Sequence, residues 1–137
     1  QIYVDTINCS KRNAYGEMVA VQKRVGSRGD IVAWHGYQSF AEGEVTPDEA
    51  FEIGKETARR MWGDKYQVLV ATHFNTGTFH NHFILNAVGM WDGKKYDCSK
   101  REYYRLRCLS DEMCAREGLT VIQHPRKKRI PRPGEKR

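Results

Sequence analysis

His73–His82 reads HFNTGTFHNH and puts three of the chain's five histidines within ten residues. His80 and His82 open an apolar, β-prone run, HNHFILNAV, in which side chains alternate between the faces of a strand, so the two imidazoles share a face and Asn81 takes the other. His73 closes a second β-prone run, YQVLVATH, and the intervening FNTGTF, with Gly77 and several polar residues, has the composition of a reversal. An antiparallel pairing of these runs gathers all three histidines. Three neutral imidazoles can hold a divalent cation while leaving coordination positions open for water or a substrate oxygen, which points to chemistry rather than structural stapling. Imidazole suits Zn, Mn, Fe, Ni and Cu, and an added phosphate oxygen brings Mg into range, so the spacing does not name the metal. The plain alternative is three ordinary polar residues at a strand end and its turn.

The chain has 137 residues, the size of one domain with a core that needs no disulfides. No stretch approaches the roughly 20 apolar residues of a membrane span, and no signal-peptide pattern opens the sequence. Gln1 is not an initiator methionine, which suggests a start inside a longer natural sequence or after processing. The net charge of +6 favours a polyanionic partner. Its distribution is uneven: the last twelve residues, RKKRIPRPGEKR, carry seven basic side chains and one acid, leaving the rest of the chain close to neutral. Two prolines and a glycine in that arm argue against a packed element, and a solvated linker is as good a reading as DNA contact. Cys9, Cys98, Cys108 and Cys114 form no CxxC pair, which excludes a zinc ribbon in practice and suggests reduced, cytoplasmic thiols, with Cys108 and Cys114 packed in a helix.

Periodicity orders the remainder. Ile2 to Ile7 alternate as a strand, Asn8 to Ser10 supply a stop and a helix cap, and Ala14 to Val25 form a helix ended by Gly26. IVAWHGYQSF is a strand with Ala33, His35, Tyr37 and Ser39 on one side. TPDEAFEIGKETARRMWG is a helix capped by Thr46, with Pro47 in its first turn, Glu49 closing a capping box and a stripe of Ala50, Ile53, Thr57 and Met61. Tyr66 to His73 and His80 to Val88 are the histidine strands, WDGK is a turn, and Tyr103 to Glu117 is a last helix, before Gly118, with LTVIQ extended beyond it. The order indicates an α+β fold: a mainly antiparallel sheet with helices packed on one face and the histidines on the other. Phe83, Leu85 and Ala87 go to the core; His80, His82, Ile84 and Asn86 go to the open face.

In order, Ile7-Asn8-Cys9, WHGYQSF, GEVTPDEAFEIG, ATHFNTGTFHNHFILNAV, DGKKYDCSK and YYRLRCLSDEMCAREGLTVI resemble the MobA/VirD2-type relaxases of conjugative and mobilizable elements, members of the HUH endonucleases. The resemblance spans Ile7 to Ile122. It implies the HUH relaxase fold, a bacterial cytoplasmic setting, and site- and strand-specific nicking of single-stranded DNA at a transfer origin, alongside auxiliary relaxosome proteins and a coupling protein. In such enzymes a tyrosine attacks the scissile phosphate, giving a 5′-phosphotyrosine link and a free 3′-hydroxyl. The resemblance assigns His73, His80 and His82 to the metal, with Mn or Mg expected in function and Zn or Ni as alternatives. It also implies residues 1–122 as the relaxase domain, lacking the N-terminal tyrosine segment and therefore inactive alone, and 123–137 as a basic tail or linker.

Two features depart from the family pattern. Asn75 and Thr78 stand where an acid and a further histidine are more frequent, and none of Tyr3, Tyr15 and Tyr37 matches the nucleophile. His35 matches a family histidine and can orient a ligand or accept the tyrosine proton; a core histidine bonded to backbone is the alternative. Gln38 and Ser39 are readable as phosphate contacts or as strand-end structure, and Glu44 as support for a ligand or a solvated acid. Arg28, Lys94, Lys95, Lys100 and Arg101 are candidates for DNA phosphates and Trp91 for base stacking. An HUH replication initiator, a noncatalytic metal-stabilised single-stranded-DNA module and a small metallohydrolase are the rival functions.

Overall fold

The computed structural model describes residues 2–26, 29, 31–41, 43–74, 78–116 and 126–131, with 126–129 and 131 described by their backbone. Arg28, Asn75, Gly77, Gly118, LTVIQ and His124 lie outside them. The described elements are β1 (Ile2–Ile7), α1 (Ala14–Arg24), β2 (Ile31–Phe40), α2 (Pro47–Trp62), β3 (Val68–His73), β4 (Phe79–Asn86), α3 (Lys100–Arg116) and β5 (Arg126–Pro131). Their strands form an antiparallel sheet in the order β1-β3-β4-β2-β5.

Alternation along these strands divides the sheet as expected. Val68, Val70, Phe83 and Leu85 point to the helical side and are buried with Ala58, Met61 and Trp62 of α2, Leu106 of α3 and Tyr96. Burial of such side chains supplies most of the stabilisation, at roughly 1.5–3 kcal/mol for each large apolar group. The Trp62 indole N–H donates to the Tyr96 hydroxyl at 3.2 Å, so the ring's one polar atom enters the core satisfied. α2 begins as its sequence dictates: Thr46 Oγ1 accepts from the Glu49 amide at 3.1 Å while the Glu49 carboxylate accepts from the Thr46 amide at 2.8 Å.

Four expectations need correction. α2 and α3 share one face, but α1 does not join them: the Met18 carbonyl and Gln22 side chain of α1 bond to Asn86, which belongs to the same alternation as His80 and His82. Asn86 is therefore fully buried beneath α1 at the far end of the histidine face, not open to solvent. The N-cap of α1 is Asn13 rather than a residue of Asn8–Ser10; Ser10 instead binds the Glu17 carboxylate through its amide and hydroxyl. The basic arm supplies a strand, β5, paired to β2 from Tyr37↔Arg126 to Ile31↔Pro131. Proline is tolerated there because Pro131 ends an edge strand, where the ladder needs no further donor. Cys114 is buried on α3 as expected, whereas Cys108 is exposed; none of the four cysteines forms a disulfide.

A polar seam runs through the core under the histidines. Asn81, fully buried between His80 and His82 in sequence, donates through Nδ2 to Gln38 Oε1 and to the Ala50 carbonyl, each at 2.8 Å, and accepts from the Thr72 hydroxyl at 2.6 Å. Gln38 in turn donates to Thr57 Oγ1 and Ser110 Oγ at 3.1 and 3.0 Å. One amide thus ties β4 to β2, β3 and α2. The approach of α2 is possible because residue 54 is glycine: a Cβ there would stand 2.6 Å from Asn81 Nδ2.

Asn81→Ala should lower the free energy of unfolding in urea by about 2–4 kcal/mol, because it leaves several buried groups unpaired at roughly 1–3 kcal/mol each. Gly54→Ala should destabilise in the same direction through overlap with Asn81. A loss below about 0.5 kcal/mol for both, the range of ordinary surface substitutions, would show that the seam does not hold the sheet to α2.

Candidate active site

β4 lies between β2 and β3, so its histidines are flanked on both sides. Tyr37 and Ala71 stand opposite His82, and Ser39 and His73 stand opposite His80. The three histidines expected together do share one face. The ring centres of His73 and His82 are 4.8 Å apart, and those of His80 and His82 are 6.4 Å apart.

His35 joins this group from β2. Its Nε2 is 3.0 Å from Nδ1 of His82, and its Nδ1 is 3.0 Å from the Tyr37 hydroxyl. That excludes the reading of His35 as a histidine held only by backbone, and makes it the residue that sets the orientation of the His82 ring. Ser39 Oγ lies 3.0 Å from His80 Nδ1 and Thr78 Oγ1 lies 3.3 Å from His80 Nε2, so Ser39 serves the site as a partner of a histidine. Gln38 faces the opposite way into the buried seam and is not available to a phosphate. Burial, then the charges of Asp111 and Glu44, push up the Cys114 thiol of α3, so Glu44 acts at least in part on the helical side.

One atom stands out. Nε2 of His82 is buried and meets no hydrogen-bond partner. When His82 carries its proton on Nδ1 and donates it to His35, Nε2 is left as a bare lone pair, the form in which imidazole binds a metal. Burial, and then the neighbouring His35, His73 and His80, push the His82 pKa down to about 4, so the ring stays neutral at physiological pH.

Among the described residues no three His, Cys, Asp or Glu side chains already stand as a metal-ligating group. His80 in particular has both ring nitrogens directed at Ser39 and Thr78. The donor set nevertheless suits a divalent cation in kind: adjacent imidazoles, one kept neutral, with a buried nitrogen that lacks a partner.

The proposed DNA contacts are not gathered here. Trp91, 77% exposed, and Lys94 and Lys95 follow the far end of β4, and Lys100 and Arg101 open α3. Lys95 bridges Val88 beyond the end of β4, and Arg101 lines a cavity with Lys65 and Tyr66 just before β3, both away from the strand ends that bear His80 and His73. Tyr3 packs on the helical side against Phe51, Tyr15 is exposed on α1, and Tyr37 is the tyrosine of the three that lies on the histidine face. Sequence reading put Asn81 on the face away from the histidines but did not foresee its bonds to Thr72 and Gln38, although each of the three adjoins in sequence a residue of the histidine face.

The depressed pKa has a definite sign. The unfolded chain takes up a proton at His82 near pH 6.5, the folded chain only near pH 4, so this residue's contribution is intact above 6.5 and is lost as pH falls toward 4. Metal-free protein should therefore lose thermal stability across that window, and His82→Asn should flatten the loss. Equal slopes for both proteins would contradict the placement of His82.

A profile of the relaxase family described as MobA/VirD2-like, nuclease domain, matches residues 1–119. Two proteins named rlx from Staphylococcus aureus are similar: one is 35% identical over 115 residues, 84% of this chain and 36% of the relative, and another 32% identical over 117 residues, 85% and 37%. The group II intron-interrupted relaxase LtrB of Lactococcus lactis is 27% identical over 110 residues, 68% of this chain and 19% of its own length. The chain thus spans little more than a third of the rlx proteins it matches. No solved structure matches it. Among the described residues no helix is long and apolar enough to cross a membrane. The family match over nearly the whole chain, together with the ordered motifs and the histidine face, makes this chain a member of the MobA/VirD2-like relaxase family, corresponding to its nuclease domain.

Proposed function

We propose that the chain is the metal-dependent nicking core of a relaxase, acting on single-stranded DNA at a transfer origin in a bacterial cytoplasm, with auxiliary relaxosome proteins and a coupling protein as partners. The observation that carries this reading is the buried, unpartnered Nε2 of His82, beside His73 and His80 and with its other nitrogen held by His35. His73, His80 and His82 would hold a divalent cation, Mn or Mg by preference and Zn or Ni as alternatives. When bound there, such a cation would supply positive charge to a phosphodiester, undiminished because its ligands are neutral.

The reaction is a transesterification. A tyrosine oxygen loses its proton and forms a bond to phosphorus; the bond from phosphorus to the 3′-oxygen breaks, and that oxygen takes up a proton. No tyrosine of this chain is assigned as the nucleophile. The roles of this chain's residues are to position: His35, backed by Tyr37, fixes the His82 ring, and Ser39 fixes His80. In-line geometry of this kind contributes by holding the reacting atoms close and aligned.

The full-length natural protein, incubated with a single-stranded origin oligonucleotide and Mn or Mg, should give a free 3′-hydroxyl and a DNA-linked tyrosine. His82→Ala should remove both products, while His35→Ala should weaken metal affinity by roughly 10–100-fold, the usual effect of losing a group that orients a ligand. Cleavage undiminished in excess EDTA would overturn metal dependence. A hydrolysed 5′-phosphate without adduct would indicate a metallohydrolase, and binding without cleavage a noncatalytic module.

A further inference from the structure

We propose that β5 is a phosphate-binding edge, on which Arg126 and Lys128 receive the sugar–phosphate backbone of single-stranded DNA as it crosses the histidine face. The inference rests on the preceding reading for the identity of the strand and extends it to a segment with no assigned role.

Register carries the argument. β5 is the outermost strand beside β2, with Arg126 opposite Tyr37 and Lys128 opposite His35. Directly opposed residues of an antiparallel pair belong to the same face, so Arg126 and Lys128 hold positions on the histidine face while Lys127 and Arg129 hold positions on the other. Neighbouring strands lie about 4.8 Å apart, which places Lys128 one strand away from the residue that bonds His82.

Charge makes the placement consequential. On β1 to β4 the residues of the histidine face include no Lys, Arg, Asp or Glu: they are apolar, hydroxyl, amide, tyrosine or histidine. A phosphodiester backbone lying there meets no Lys or Arg side chain on those four strands, yet neutralising phosphates is the principal source of affinity for nucleic acid. β5 provides that cationic charge at the rim. Lysine on an edge strand also guards against sheet-to-sheet pairing, a role that is indifferent to which face it occupies.

Face-specific variants separate the two. A labelled single-stranded oligodeoxynucleotide of mixed sequence, followed by fluorescence anisotropy over a salt series, should bind Arg126→Gln/Lys128→Gln about tenfold more weakly near 0.1 M salt, with a log–log salt slope smaller by about 1.4, or roughly 0.7 for each lost contact. Lys127→Gln/Arg129→Gln, with the same change of charge, should move the slope by less than half as much. In the unsubstituted protein, bound oligonucleotide should shield Lys128 from acetylation more than Lys127, a readout independent of how the variants fold. Equal losses in both double variants, or equal shielding of both lysines, would overturn the proposal. An unsubstituted chain without salt-dependent binding would instead remove the reading on which it rests.

Discussion

The Asn81 side chain is the constraint on which the histidine face depends. Because side chains on β4 alternate, fixing Asn81 on the helical side, with hydrogen bonds to Gln38, Thr72 and the Ala50 carbonyl, leaves His80 and His82 no choice but the opposite side. A one-residue slip would put an imidazole into the core and strand the amide in solvent. The same logic extends to the neighbours: burying Gln38 commits Tyr37 and Ser39 to the histidine face, and burying Thr72 commits His73. A fully satisfied buried polar network specifies one register in a way that apolar contacts alone do not.

Much of this was legible in the chain because it rests on local rules. The alternation of HNHFILNAV assigned Phe83 and Leu85 to the core, and Thr46 and Glu49 announced the start of α2. What escaped reading was non-local. Asn86 looks like any residue of the histidine face until α1 is laid over it with the Met18 carbonyl and Gln22 waiting. Gln38 reads as a surface amide because no spacing rule connects it to Asn81, Thr57 and Ser110, which come from three other elements. The strand β5 was hidden by composition: lysine, arginine and proline describe both a solvated tail and a well-protected sheet edge, and only a partner strand distinguishes them.

The functional residues divide in the same manner. A cluster of histidines within ten residues is visible by inspection, and its common face follows from period two. The family match offered His35 as a residue that can orient a ligand, but spacing does not show which one, since it comes from a strand nearly forty residues earlier and holds a nitrogen of His82. Lys94 and Lys95 satisfied a criterion of charge, yet they follow the end of β4 remote from His80. Basic composition marks a nucleic-acid protein; position along the strands decides which cations a bound strand would meet.

We propose that His82, with His73 and His80, is the seat of a divalent cation. It is tested most directly by following the imidazole nitrogen resonances of the chain during titration with paramagnetic Mn. The signals of His82, His73 and His80 should broaden first and together, with His82 affected at Nε2. Persistence of those three signals at Mn concentrations that already broaden resonances elsewhere in the protein would contradict it.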